Sequence, residues 1–126
     1  MIGDWVGLPY AEGARGPEAY DCLGLFLALQ RVRMGRLLPD PGCSIPGAVR
    51  HDVVDGLRPQ WRRVEAAAVA EGDALLFRHR GRVLHVGYAL DTRDMLHTDG
   101  QFGASTIERW SSSLWLPKLE GCYRAL

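Results

Sequence analysis

The chain has 126 residues, 47% apolar and 24% charged, with fifteen basic and fifteen acidic side chains. That length and composition fit one globular domain, 1–126, able to bury a core without staples. The balanced charge excludes a nucleic-acid binder driven by net charge, and no apolar run is long enough to span a membrane.

In chain order, MIGDWVGLPY lacks a basic region followed by a long apolar stretch. No secretory signal is therefore expected, and the chain is expected to be synthesised in the cytoplasm. The Gly/Pro-rich segment 7–20 reads as a structured loop. Asp21 can cap a helix running to about Met34, with Leu25, Leu29 and Val32 on one apolar stripe and Phe26 beside them. Gly35 ends that helix, and RLLPDPGCSIPG is a connection. A weaker second helix is expected over Ala48 to Leu57, before Pro59. Short strands follow: WRRV at 61–64, GDALLFRH after its opening turn, RVLHVGYAL at 82–90, and MLHTD at 95–99 beyond a DTRD turn. ASTIERW and GCYRAL supply two more. Closely spaced strands with turns between them predict an antiparallel sheet, and the order of elements predicts an α+β fold with N-terminal helices packed on it. The basic groups RHRGR and Arg31/Arg33/Arg36 read as solvated surface.

The cysteines are Cys22, Cys43 and Cys122, with no C-x-x-C pair among them. A zinc ribbon or thioredoxin-type motif is unsupported, and a Cys43–Cys122 disulfide is not expected in a cytosolic chain. Cys22 alone sits where a loop enters a helix. The free N–H groups and partial positive charge of a helix start lower a thiol's pKa, as a nucleophile needs. Position alone leaves it equally a buried core cysteine.

A nucleophilic thiol also needs a base. Of His51, His79, His85 and His97, His85 lies within the most apolar strand, and His97 lies in the next strand across a short turn. Their midpoint falls at the turn, so the two can face each other on one side of a hairpin. One histidine held by a second polar group is the arrangement that orients a base. His51 and His79 read as exposed residues.

PYAEGARGPEAYDCLGL followed by GDALLF, HVGYAL and MLH resembles the NlpC family of papain-like cell-wall cysteine peptidases. The motifs are a tyrosine before a Gly-rich loop, D-C-x-G-L, G-D, H-V-G and a hydrophobic residue before His. They occur in the family's order, from Trp5 to about Thr98, with Cys before His as in the unpermuted branch. The resemblance implies a papain-like NlpC fold, with Cys22 as nucleophile, His85 as general base and acid, and His97 as third member. It implies that Tyr10 lines the oxyanion or substrate site, with the Cys22 N–H as second donor, and that Asp21 contacts a substrate amine. Many members carry serine after the cysteine. Here Leu23 stands there, as in a subgroup associated with phage tails, which WVGLPY, GPEAYDCLGL and RMGRLLPD resemble most.

The expectation is a cysteine endopeptidase acting on peptidoglycan stem peptides beside D-γ-glutamate, in a phage or prophage tail. It needs no metal or cofactor, its partners are the peptide substrate and tail proteins, and it takes no nucleic acid and no membrane. The alternative is a non-catalytic tail-assembly or wall-binding module of the same fold. A zinc hydrolase lacks the H-E-x-x-H or paired-cysteine spacing.

Overall fold

The structure, a computed structural model, describes residues 1–42, 60–79 and 81–126. Cys43, His51 and the helix expected over 48–57 lie outside the described residues.

Helix α1 spans Cys22–Met34. The Asp21 carboxylate caps it by accepting the Gly24 N–H at 2.7 Å. Gly35 closes it at φ 66°, left-handed backbone that glycine adopts without a Cβ clash. Leu25, Phe26, Ala28 and Leu29 are buried, as the apolar spacing predicts. Val32 is a correction, because it is 60% exposed. Past Leu29 the covered face runs through Gln30 and Met34, which packs against the core, and Val32 points off it. Gln30 is buried instead, its amide donating to the Gly72 carbonyl at 2.6 Å.

The strands are β1 Trp61–Val64, β2 Ala74–His79, β3 Arg82–Ala89, β4 Asp94–Thr98, β5 Ser105–Arg109 and β6 Leu119–Ala125. They form one six-stranded sheet in the order β1-β6-β2-β3-β4-β5, with every adjacent pair antiparallel. Among the described residues a single α-helix packs on it, where several N-terminal helices were expected; only a 3-10 turn at Ile2–Trp5 precedes α1.

Period-2 alternation divides the sheet into two apolar faces. Ala74, Val86, Tyr88 and Leu96 meet Tyr20, Leu25, Phe26 and Leu29 on the helix side. Leu75, Phe77, Ala89, Met95 and Cys122 meet Val69 and Trp110 on the other. Both faces are covered, so the central strands are nearly continuous apolar runs.

Two irregularities shape the site. First, pairing of β3 with β4 stops after Tyr88↔Leu96. Even-numbered N–H groups of β3 point toward β4, as the Leu90 N–H bonded to the Asp94 carbonyl shows. The Val86 N–H therefore leaves the ladder. The buried Thr98 hydroxyl, which a continued ladder would set opposite it, has no hydrogen-bond partner among the described residues. Second, segment 7–10 straps the sheet edge. Gly7 and Tyr10 donate to the carbonyls of Ser105 and Gly103, and Ser105 donates to that of Leu8. The chain then folds back, with Tyr20 donating to the Pro9 carbonyl and Asp21 to that of Ala14.

That last contact makes Gly24 necessary. A Cβ there would stand 2.1 Å from the Ala14 carbonyl oxygen. Gly24→Ala should destabilise the fold by ~1–3 kcal/mol or more, since backbone rather than a flexible side chain must give way. Urea unfolding checks this, and an unchanged midpoint would refute the close approach.

Candidate active site

Cys22 is the first residue of α1, so its N–H has no intrahelical acceptor. Its half-buried thiol is hydrogen-bonded by the freed Val86 N–H and by the Leu23 N–H. The fork between β3 and β4 thus places the thiol at the His85–Val86 peptide.

The histidines meet as the hairpin predicts, with a shift of register. Continued past its last pair, Tyr88↔Leu96, the register would set Gly87, not His85, opposite His97, and His85 reaches across diagonally. His85 Nε2 lies 2.8 Å from His97 Nδ1. His97 is 1% exposed, so its ring lies in the interior of the fold. Its Nε2 lies 2.5 Å from a Glu108 carboxylate oxygen. Glu108 escaped the sequence reading. The one available signal was alternation in STIERW, which puts Thr106 and Glu108 on the face that His97 shares. His79 is exposed, as expected, and Cys122 is a buried free cysteine on β6.

Burial dominates the electrostatics. It pushes the Cys22 thiol up to about 11, opposed by the Val86 and Leu23 N–H groups and reinforced by the Asp21 charge. This corrects the expectation of a lowered thiol pKa, because desolvation of the thiolate outweighs the helix start. Burial, helped by His97, lowers His85 to about 3, and it lowers His97 against the opposing pull of Glu108. At rest the thiol and both imidazoles are neutral.

Tyr10 stands at the edge of this group, its ring against Gly100. Burial raises its phenol, and the charges of Cys22, Asp21, Glu12 and Asp99 add to the effect, which places its hydroxyl among them. Asp21 is buried and fully engaged. One oxygen accepts the Gly24 N–H and Arg15 Nη1, at 2.7 and 2.9 Å, and the other accepts the Gly13 N–H at 3.0 Å. Arg15 reaches on to Asp40 at 2.9 Å, tying loop 7–20 to the segment after α1. The sequence showed Asp21 as a cap but not this cation. Leu23 is half-buried and packs against the helix-side core.

Two outcomes follow from the burial. Alkylation of Cys22 by iodoacetamide in the resting protein should keep rising above pH 9, the ordinary thiol value, toward about 11. A plateau below that ordinary value would contradict the buried neutral thiol. The second concerns stability. His85 stays neutral in the fold down to about pH 3, while its ordinary value is 6.5. Between those values the unfolded chain binds the extra proton, so stability falls as pH falls, by up to about 1.4 kcal/mol per pH unit for this imidazole. Denaturation midpoints for wild type and His85→Leu measure it, and the variant should show the shallower slope.

The NlpC/P60 family model matches residues 7–124. Comparison with curated proteins returns no match. Among solved structures, an NLP/P60 family protein from Staphylococcus aureus, similar to a lipoprotein, superposes with a TM-score of 0.70 at 23% identity, over 98% of this chain and 38% of that one. The NlpC/p60 domain of the peptidoglycan hydrolase SagA gives 0.65 at 18% identity, over 98% and 92%. The peptidoglycan hydrolase RipB from Mycobacterium tuberculosis gives 0.64 at 21%, over 96% and 58%. At these identities the likeness is one of fold, and the chain spans well under half of the staphylococcal protein. Matched by the family model from the edge strap to the last strand, the chain belongs to the NlpC/P60 family.

Proposed function

We propose that the chain is a cysteine peptidase that hydrolyses the peptide stems of peptidoglycan, acting as a single domain. The observation that carries this is the hydrogen-bonded series His85–His97–Glu108, beside a helix-start thiol held at the His85–Val86 peptide. The hydrolase identities of SagA and RipB support the substrate class.

Cys22 Sγ attacks the scissile carbonyl carbon while its proton passes to His85. The resting thiol is neutral, so this transfer accompanies attack rather than preceding it. The tetrahedral oxyanion takes hydrogen bonds from the Cys22 N–H and the Tyr10 hydroxyl. Collapse breaks the C–N bond, the amine leaves with the proton from His85, and a thioester remains. His85 then takes a proton from water. The hydroxide adds to the thioester, and the acid product departs as the thiol is restored. His97 holds the His85 ring through both halves.

The bond beside D-γ-glutamate is the target we infer from the D-C-x-G-L context. The setting is a phage or prophage tail, with tail proteins as partners, supported by Leu23 and the WVGLPY and RMGRLLPD resemblance. Asp21 is the residue least suited to its expected part, since Arg15, Gly13 and Gly24 already occupy its oxygens.

Digestion of purified peptidoglycan by wild type and Cys22→Ala, with fragments identified by mass, tests the proposal. Release of stem-peptide fragments by wild type alone is expected. Equal release by both proteins would remove Cys22 as nucleophile. A second reading, a wall-binding or tail-assembly module without catalysis, is favoured by Leu23 and the raised thiol. It would be supported if wild type sediments with the wall material and releases nothing from several wall types.

A further inference from the structure

Glu108 lies on β5, the edge strand of the sheet, and belongs to none of the motifs that mark the site. We propose that Glu108 is a positioning residue that sets the tautomers of both histidines, leaving His85 Nδ1 bare and able to act as a base. The inference rests on the peptidase reading for its purpose, but not for its geometry.

The argument begins from what each atom can do. A carboxylate accepts hydrogen bonds and has none to give. His97 Nε2, 2.5 Å from the Glu108 oxygen, must therefore carry the hydrogen. A neutral imidazole holds one hydrogen, so His97 Nδ1 is then an acceptor. That nitrogen faces His85 Nε2 at 2.8 Å, so His85 Nε2 must be the donor. The only nitrogen left without a hydrogen is His85 Nδ1. Remove the acceptor at the far end, and nothing prevents the series from running backwards. His85 Nδ1 would then hold a hydrogen and could not act as a base.

Two further observations favour a fixed direction. Both rings are held neutral by burial. The Trp115 indole covers them together, stacked on His85 at 5.6 Å and edge-on to His97 at 5.0 Å, while Phe77 flanks His85 at 5.9 Å. Water has little access to supply an alternative partner. The other charges facing the pair are Asp99, whose carboxylate acts on both histidines, and Lys118, 5.3 Å over the outer Trp115 ring. Neither makes a hydrogen bond to the rings among the described residues, so Glu108 is the group that selects the direction.

Nitrogen-15 spectra of the histidine rings read the tautomer directly and need no substrate. In wild type near neutral pH, His85 should be protonated at Nε2 and bare at Nδ1. Glu108→Lys, which can only donate, should reverse both rings and protonate His85 Nδ1. Glu108→Gln, which can do either, should give a mixture. It should lower kcat ~10- to 100-fold with KM little changed, the scale seen when a partner behind a functional histidine is removed. Glu108→Asp should restore the wild-type tautomer. Wild type with a hydrogen on His85 Nδ1, or Glu108→Lys with the wild-type tautomer, would overturn the proposal. The wild-type arm requires no variant to fold. If digestion shows no hydrolysis, the spectra still decide the tautomer claim, so the two failures are distinguishable.

Discussion

The site depends on the place where β3 and β4 stop pairing. Beyond Tyr88↔Leu96 the strands part, and the next inward-pointing amide, that of Val86, has no strand partner. A buried N–H without an acceptor costs about 1–3 kcal/mol, so it takes the nearest one available. Here that acceptor is the thiol at the start of α1. The same parting frees His85 from direct opposition and lets it lean toward His97. A ladder continued by two residues would satisfy the Val86 amide with backbone and leave Cys22 as an ordinary helix-start cysteine.

The electrostatic character of the centre follows from its dryness. Thiolate and imidazolium are both disfavoured, so charge separation is deferred until a substrate is present. The polar groups around the centre are correspondingly well matched. Asp21 is satisfied by two backbone amides and a guanidinium, and Arg15 is in turn held by Asp40. This engagement makes Asp21 an architectural anchor that joins the loop, the helix start and the segment after the helix.

Much of this was legible in the residues. Asp21 and Gly35 bracket α1 because capping and left-handed backbone have sharp side-chain preferences. The strands follow from alternation and turn residues, and the histidine pair follows from hairpin arithmetic. What escaped depends on tertiary geometry. Val32 obeys the helix period but points off the covered face, which continues through Gln30 and Met34 to meet Gly72, a contact that only the docked sheet decides. Glu108 joins the histidines through the register in which β5 docks on β4 across the Asp99–Gly103 turn, and the residues of that turn mark the reversal without fixing which β5 side chain reaches His97. The thiol misled for a different reason. A helix start is visible in sequence, but the desolvation that outweighs it comes from the helix-side core against which the residue packs. For the same reason nothing in the loop's sequence marks Arg15 as the partner of the cap.

The edge strap has a bearing on how the molecule would fail. Tyr10 reaches the site from a segment held to the sheet edge by hydrogen bonds to Gly103 and Ser105 and by Trp5 and Leu8 at the rim of the core, while the helix and central strands rest on two apolar layers. Amides at a sheet margin open with far less free energy than those of a core. Warming would peel the strap first and carry Tyr10 away from a thiol and histidines that are still in place. In that order of events the oxyanion-side phenol would be lost while the two layers of the fold still stood.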